Sequence, residues 1–310
     1  MLKKPLKYYH SMLNFYLGVF VECLFFPYYF FRNFILNNLS LFINRRKSHI
    51  PVLKQRKKVD DENLLQICIH EWGGYDIERY KTISDRSFLC GLKYQLERIN
   101  NYKGKIKVST SITISDVNLY SHLEKIKSHK IIKVNNMSMD FSGYAQFIQE
   151  LPQENQFVLL MNSSISALQI DFIDDYLTYF KQHNDVGMLG ISYSSKSYQT
   201  FVKNNFNPHI QSFFILTTSD VLREIIKLNN CFFPGSRSSY KLSIIKKGEI
   251  KLSKLTLKLG YKIAVVTEEG IPFDFYKDKW FDNGYGRWER QLGDCRILVK
   301  NINAINKLEI

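Results

Sequence analysis

Between residues 62 and 191 the chain keeps exchanging short, unbroken apolar runs for stretches of helical period, and few folds accept that order. Gln156-Phe-Val-Leu-Leu-Met161 is the clearest run. Successive side chains of a strand point to opposite faces of a sheet, so a continuous apolar strand needs cover on both. Leu64-Leu-Gln-Ile-Cys-Ile-His70 has the same character and stops at Gly73-Gly74, while Lys105–Thr113 alternates. Lys130–Asn135 and Val186–Ile191 are further strands. Helical spacing falls between them: over 85–101 (Phe88, Leu89, Leu92, Leu96, Ile99), from an Asp116 cap to Ile126, over 142–150, and over Leu168–Gln182. Strand and helix in alternation predict an α/β fold, a mostly parallel sheet flanked by helices.

Such sheets bind ligands at the carboxyl ends of their strands. His70-Glu71, Asn135-Asn136 through Asp140, and Asn162-Ser163-Ser164 follow three of these runs, and all are polar. Asp140 has two readings of equal weight. Its carboxylate accepts hydrogen bonds from a ribose or a base, with Gly143 letting the backbone approach a ligand, or it caps the helix 142–150. Asn162-Ser163-Ser164 offers amide and hydroxyl groups where a hard cation wants carboxylate oxygens, and it also reads as a plain capped turn. His209, Gln211 and Ser212 precede a strand, Phe213–Thr217. Glu249 precedes a predicted helix Ile250–Leu259 that closes at Gly260, a place where the helix dipole alone favours an acid.

Charge separates the chain into parts. Residues 1–58 carry eleven Lys/Arg and one acid, Glu22, out of a formal net charge of +14. The same segment holds the apolar, aromatic run Ser11–Phe31 and a second one, Phe34–Ile43. Glu22 and Pro27 disfavour a clean transmembrane helix. Aromatics with flanking Lys/Arg suit a helix lying in the headgroup region of an anionic membrane surface. A short span and a pair of core helices are the alternatives. The division expected is a membrane-associating helical anchor over 1–45, a basic linker over 46–61, the catalytic-type α/β domain over 62–270, and an aromatic tail over 271–310 that packs on or near the acceptor side. The basic charge sits beside the apolar leader and no nucleic-acid motif accompanies it, so no nucleic-acid partner is expected. Five scattered cysteines, with no C-x-x-C pair, form neither a disulfide framework nor a zinc set and read as buried thiols.

Four blocks in order carry a family resemblance. Val134-Asn-Asn-Met-Ser-Met-Asp-Phe-Ser-Gly-Tyr144 resembles a "V-x-N-x-G-x-D-φ-G" segment, and Phe157-Val-Leu-Leu-Met-Asn-Ser-Ser164 resembles a strand ending in "N-D/S-S". Asn207-Pro-His-Ile-Gln-Ser-Phe-Phe214 is similar to "H-x-Q-S-φ-φ", and Gly248-Glu-Ile-Lys-Leu-Ser253 with Leu259-Gly-Tyr-Lys-Ile263 to "E-x-x-L-S…L-G-Y-x-I". The set resembles the rhamnan-synthesis-type, family-two-like bacterial glycosyltransferases of the GT-A fold.

That resemblance implies a GT-A-like, Rossmann-like domain and a nucleotide-sugar donor, with a glycan or lipid-linked acceptor, in surface polysaccharide synthesis such as capsule or lipopolysaccharide. The expected place of work is the cytoplasmic face of the cell membrane. Glu249 is the candidate base for an inverting transfer, assisted by His209. His70, Asn135, Asp140, Asn162 and Ser163 are the candidate donor-binding residues. Gln211, Ser212, Arg237 and Lys247 are candidates for the acceptor or the phosphates, and Lys246, Lys247 and Arg237 also read as a solvated face. No Asp-x-Asp turn is seen, so a role for Mg²⁺ or Mn²⁺ stays open. The competing expectation is a catalytically inactive glycosyltransferase-like membrane module that binds glycan or scaffolds a biosynthetic complex.

Overall fold

The structure is a computed structural model that describes residues 4–28, 31, 53–83, 86–127, 129–196, 206–267, 269–275 and 304–308. In chain order its elements are α1 (Leu6–Leu24), β1 (Leu64–Trp72), β2 (Arg79–Ile83), β3 (Arg86–Cys90), α2 (Leu92–Asn100), β4 (Lys107–Ser115), β5 (Lys130–Val134), α3 (Asp140–Gln149) and β6 (Phe157–Asn162). There follow α4 (Ile173–Gln182), β7 (Val186–Gly190), β8 (Tyr193–Lys196), β9 (Phe206–Ile210), β10 (Phe214–Thr218), α5 (Ser219–Leu228), α6 (Lys241–Ile244), α7 (Ile250–Lys258), β11 (Lys262–Val266) and β12 (Pro272–Phe275).

Eight of these strands form one sheet in the order β12-β11-β7-β10-β6-β1-β4-β5. β1 is parallel to both β4 and β6, β4 to β5, and β7 to β11. β10 is antiparallel to both of its neighbours and β12 to β11, so the sheet is mixed with a mostly parallel centre. The apolar strands divide their side chains with period two. Leu65, Ile67 and Ile69 of β1 and Phe157, Leu159 and Met161 of β6 enter the layer containing Leu92, Leu96, Tyr176 and Phe180. Cys68, Val158 and Leu160 enter the opposite layer, with Phe141, Tyr144, Leu222 and Leu252. Helices therefore cover both faces, which is why these runs are unbroken. Each fully buried Ile or Leu contributes about 1.5–3 kcal/mol relative to exposure.

Several local expectations change. Residues 86–90 are a strand paired with β2, and α2 starts only at Leu92. Gly91 separates them at φ 140°, where a Cβ would lie 2.2 Å from the Ile77 carbonyl oxygen. No helix runs from Asp116 to Ile126; two short 3₁₀ turns replace it. Asp116 stands at φ 53° and its carboxylate accepts the Trp72 indole N–H at 2.9 Å instead of capping. The helix expected from Leu168 starts at Ile173, because the carbonyls of Ser166 and Leu168 are held by the Arg98 guanidinium. Glu249 does not open a helix. α6 passes through a π-helical turn, Ile245–Glu249, straight into α7, which ends at Gly260 with φ 96°.

The basic segment before the domain is pinned to it from Leu53 onward. Lys54 pairs with Glu224 at 2.7 Å, Arg56 is buried, and Asn155 binds the carbonyls of Lys57 and Lys58. No helix among the described residues is long and apolar enough to cross a membrane. α1 stops at Leu24, ahead of Pro27. The second apolar run, Phe34–Ile43, and the aromatic stretch Trp280–Trp288 lie outside the described residues. Ala304, Ile305 and Leu308 return to the core. Cys68 and Cys90 are buried as expected of apolar thiols, whereas Cys23 and Cys231 are exposed.

Candidate functional site

Two acidic clusters stand at the carboxyl ends of β1 and β6. Glu71, on the penultimate position of β1, is fully buried. Its carboxylate accepts the Ser163 hydroxyl at 2.8 Å, the Trp72 amide at 2.9 Å and the Arg79 guanidinium at 3.2 Å. Arg79 also donates to Ser163 Oγ at 2.6 Å and stacks on the Tyr75 ring at 3.9 Å. Burial pushes the Glu71 carboxyl up from its ordinary range, and Arg79 opposes that. The Ser163 turn and the loop after β1 are thus locked together by one charge-paired unit.

The second cluster joins three separate stretches of chain. Asp140, the first residue of α3, accepts the Asn162 side-chain amide at 2.6 Å. Ser212 stands between two carboxylates, its Oγ 2.9 Å from Glu249 Oε1 and 3.3 Å from Asp140 Oδ2. The Ser212 backbone N–H also reaches Glu249 Oε1 at 3.0 Å, and the Tyr144 hydroxyl holds the Ser212 carbonyl at 2.9 Å. His209 Nε2 lies 3.8 Å from Glu249 Oε2. Burial raises the Glu249 pKa from its ordinary value; the two Ser212 bonds and Lys241 pull it down, while Asp140 pushes it further up.

Backbone irregularities deliver both carboxylates. Met139, just before Asp140, is at φ 51° and ψ −133°, a conformation that costs about 1–3 kcal/mol in a residue with a side chain. Two serine bonds hold it there: Ser138 N to Ser142 Oγ at 2.8 Å, and Ser138 Oγ to the Ser236 carbonyl at 2.7 Å. Glu249 ends the π-helical turn, an irregularity that often marks functional positions. The helices meet where Phe141 lies on Gly248: a Cβ at Gly248 would come 2.7 Å from Phe141 Cζ. Neighbours of these two residues are the carboxylates themselves, so the absence of a side chain at 248 sets their spacing.

Asp140, Asn162, His209, Ser212 and Glu249 are therefore brought into one connected cluster, with Ser163 in the adjoining one. The other sequence candidates lie differently. His70 is buried inside the sheet, its Nδ1 3.0 Å from Thr113 Oγ1, and burial lowers its pKa, leaving a neutral ring as part of the floor. Gly143 brings α3 close to that floor: a Cβ there would lie 2.3 Å from both His70 Nδ1 and Thr113 Oγ1. Asn135 is exposed and closes a turn onto the Met137 amide at 3.3 Å. Gln211 is engaged with Ser192, through its backbone N–H at 3.1 Å and its side-chain oxygen. Arg237 is exposed over the Phe232 ring, Lys247 is exposed, and Lys246 pairs with Glu22 at 3.2 Å.

Arg79 of β2 contacts Glu71, and the charges of Lys81 in β2 and of Lys241, exposed at the start of α6, act on Asp140 and Glu249 from further away. Lys81 is half-buried and depressed in pKa by that burial, against the attraction of Asp140. None of the three stood out in the sequence, where all lie outside the predicted strands and helices. The Asn162-Ser163 turn is satisfied internally, since Asn162 also accepts the Ser164 amide at 3.0 Å. Among the described residues no group of three or more His, Cys, Asp or Glu side chains is placed to hold a metal ion.

No protein-family model matches the sequence, and no curated protein matches it. Among solved structures, the chain is similar to a 4-diphosphocytidyl-2C-methyl-D-erythritol synthase from Anaerococcus prevotii DSM 20548, at 12% identity and a TM-score of 0.34 over 55% of this chain and 76% of that one. A second 4-diphosphocytidyl-2C-methyl-D-erythritol synthase matches at 9% identity and a TM-score of 0.33, over 68% of this chain and 87% of its own. Likeness at this level bears on neither substrate nor chemistry.

Proposed function

We propose that the chain is a transferase that moves a sugar from a nucleotide-sugar donor to a hydroxyl of a glycan or lipid-linked acceptor, with inversion. The observation that supports this most is the Asp140–Ser212–Glu249 unit at the strand ends, a buried serine between two half-buried carboxylates. Glu249 is a proton acceptor tuned upward by burial, the direction that brings a carboxylate nearer to neutral-pH base chemistry. In this reading the acceptor oxygen attacks the anomeric carbon and its proton passes to Glu249. The bond from that carbon to the diphosphate oxygen breaks, and the electron pair leaves with the nucleoside diphosphate. Ser212 fixes the base, Asp140 holds donor hydroxyls, and Lys81 and Lys241 offset the departing negative charge. The order of blocks 134–144, 157–164, 207–214 and 248–263 in the sequence adds the family resemblance to the same reading.

One observation favours a second reading, a glycan-binding module without turnover. Asn162 and Ser163 spend their polar groups on Asp140, Ser164, Glu71 and Arg79, which leaves that turn little to offer a donor. Differential scanning fluorimetry of the full chain with nucleoside diphosphates and nucleotide sugars, with and without Mn²⁺, separates the two. A ligand that binds only the folded state raises the Tm. A selective shift lost in Asp140→Ala supports the transferase. A shift with free glycans alone, and none with any nucleotide, replaces it with the module.

A further inference from the structure

α1 is attached to the domain by one face. Phe15 is buried against Tyr240, with ring centroids 5.7 Å apart; Tyr16 and Tyr240 hydroxyls meet at 3.1 Å; and Ser239 Oγ donates to the Lys7 carbonyl at 2.8 Å. Glu22, the only acid of the first 58 residues, turns inward to Lys246. At 100° per residue the opposite face of the helix carries Leu6, Tyr9, Leu13, Leu17, Phe20 and Leu24. These six side chains are between 50% and 85% exposed. A free helix face of a water-soluble domain is ordinarily polar, and this one is apolar along the whole of its 19 residues, about 28 Å at 1.5 Å per residue.

We propose that this outer face of α1 is a docking surface for an anionic lipid bilayer, entered in the plane of the headgroups. Charge selects that occupant over a second protein. Lys4 and Lys7 are exposed at one end of the stripe, Arg32, Arg45, Arg46 and Lys47 follow it in the sequence, and the single acid is withdrawn to the inner face. An apolar stripe with flanking cations and no exposed acid complements a surface with an apolar interior and anionic heads. A helix attached on one side and apolar on the other lies along such a surface. Its inner face touches Tyr240, the residue before α6, which leads through the π-helical turn to Glu249. Docking therefore ties the helical run that ends in Glu249 to the membrane-bound helix, whether or not the cluster performs glycosyl transfer.

The test uses the full chain and sedimentation with sucrose-loaded vesicles, either pure phosphatidylcholine or equimolar phosphatidylcholine and phosphatidylglycerol. Wild type is expected to pellet with the anionic vesicles, and Leu13→Asn/Leu17→Asn/Phe20→Asn to lose at least about tenfold in partition, since apolar burial drives the binding. That variant changes no charge and alters side chains that are each more than half exposed, so its Tm is expected to stay that of wild type. Lys4→Gln/Lys7→Gln is expected to weaken only the anionic preference. Phe20→Trp supplies a second readout, a blue shift of emission on adding vesicles. Wild type remaining in the supernatant with both vesicles overturns the proposal, as does equal pelleting by the triple variant. Self-association in sedimentation velocity that the triple variant abolishes, without any vesicle binding, assigns the face to a second copy instead. A fall in Tm of the triple variant would mean that the face packs on the chain itself, and that too ends the proposal.

Discussion

Phe141 rests on Gly248, and the carboxylates that precede the one and follow the other in the chain, Asp140 and Glu249, meet across Ser212 as a result. Gly248→Ala places a methyl group 2.7 Å from a ring that is itself fully buried. The expected cost is about 1–3 kcal/mol, the usual range for overpacking. Phe141→Ala removes the ring and costs about 3–5 kcal/mol. If the contact sets the spacing, the smaller Phe141→Leu restores part of the loss when combined with Gly248→Ala. Urea midpoints of the four proteins give the coupling, and simple additivity would show that the two positions are independent.

Glu249→Gln is expected to abolish turnover with the fold intact. Its effect on stability has a definite sign. The folded-state pKa of Glu249 is raised by burial, so this group's contribution is fully present below its unfolded value and is lost as pH rises through the raised one. Glutamine carries no such loss. The stability of Glu249→Gln relative to wild type therefore climbs with pH across that window and then levels. In wild type the rate rises with pH over the same window. Guanidinium melts at several pH values measure the first, a pH–rate profile the second; full turnover by the variant would remove Glu249 from the mechanism.

Arg79→Ala strands a fully buried carboxylate. Breaking such a pair costs about 3–5 kcal/mol. Without Arg79 nothing of that strength opposes the upward push of burial on Glu71, so its pKa rises further and the stability deficit is small in acid and large at neutral pH. Arg79→Ala/Glu71→Gln, which removes the charge as well as its partner, recovers most of the difference at neutral pH. Denaturation of both variants at acid and neutral pH decides it, and a deficit for Arg79→Ala that does not change with pH would contradict the pairing.

Met139→Gly relieves a backbone that only glycine adopts freely. Met139 is 43% exposed, so little packing is lost. The substitution is expected to stabilise the chain by about 1 kcal/mol, set against the 1–3 kcal/mol that such a conformation costs. A thermal melt that places the glycine variant below wild type would show that the Met139 side chain makes contacts worth more than the strain.

The parts of this fold written in local pattern are those whose side chains all obey one period. β1 and β6 are continuous apolar runs because both faces are covered, and their position in the sheet centre follows from that. Phe88 and Leu89 show where pattern fails. Their spacing with Leu92 and Leu96 fits a helix, yet they belong to the β2–β3 hairpin, and Gly91 at φ 140° is what divides the two. Missing the hairpin also hides Arg79 and Lys81, which reach the strand ends only because β2 folds over them. Asp140, Asn162, Ser212 and Glu249 stand out as polar groups in the right places, but their contacts do not. The Ser212 bridge depends on where β10 inserts, and pairing between distant strands leaves no local trace.

That insertion has a further consequence. β5, β4, β1 and β6 form one half of the sheet and β7, β11 and β12 the other, and β10 alone bonds the halves together. Asp140 and Asn162 belong to the first half, Glu249 to the second, and Ser212 to the chain entering the joining strand. The amides of β10 cannot be protected until both halves are in place, so they should exchange with solvent only through global unfolding. The same seam governs the site: Asp140 and Glu249 belong to opposite halves of the sheet, so they are neighbours only in molecules in which β10 has joined the two.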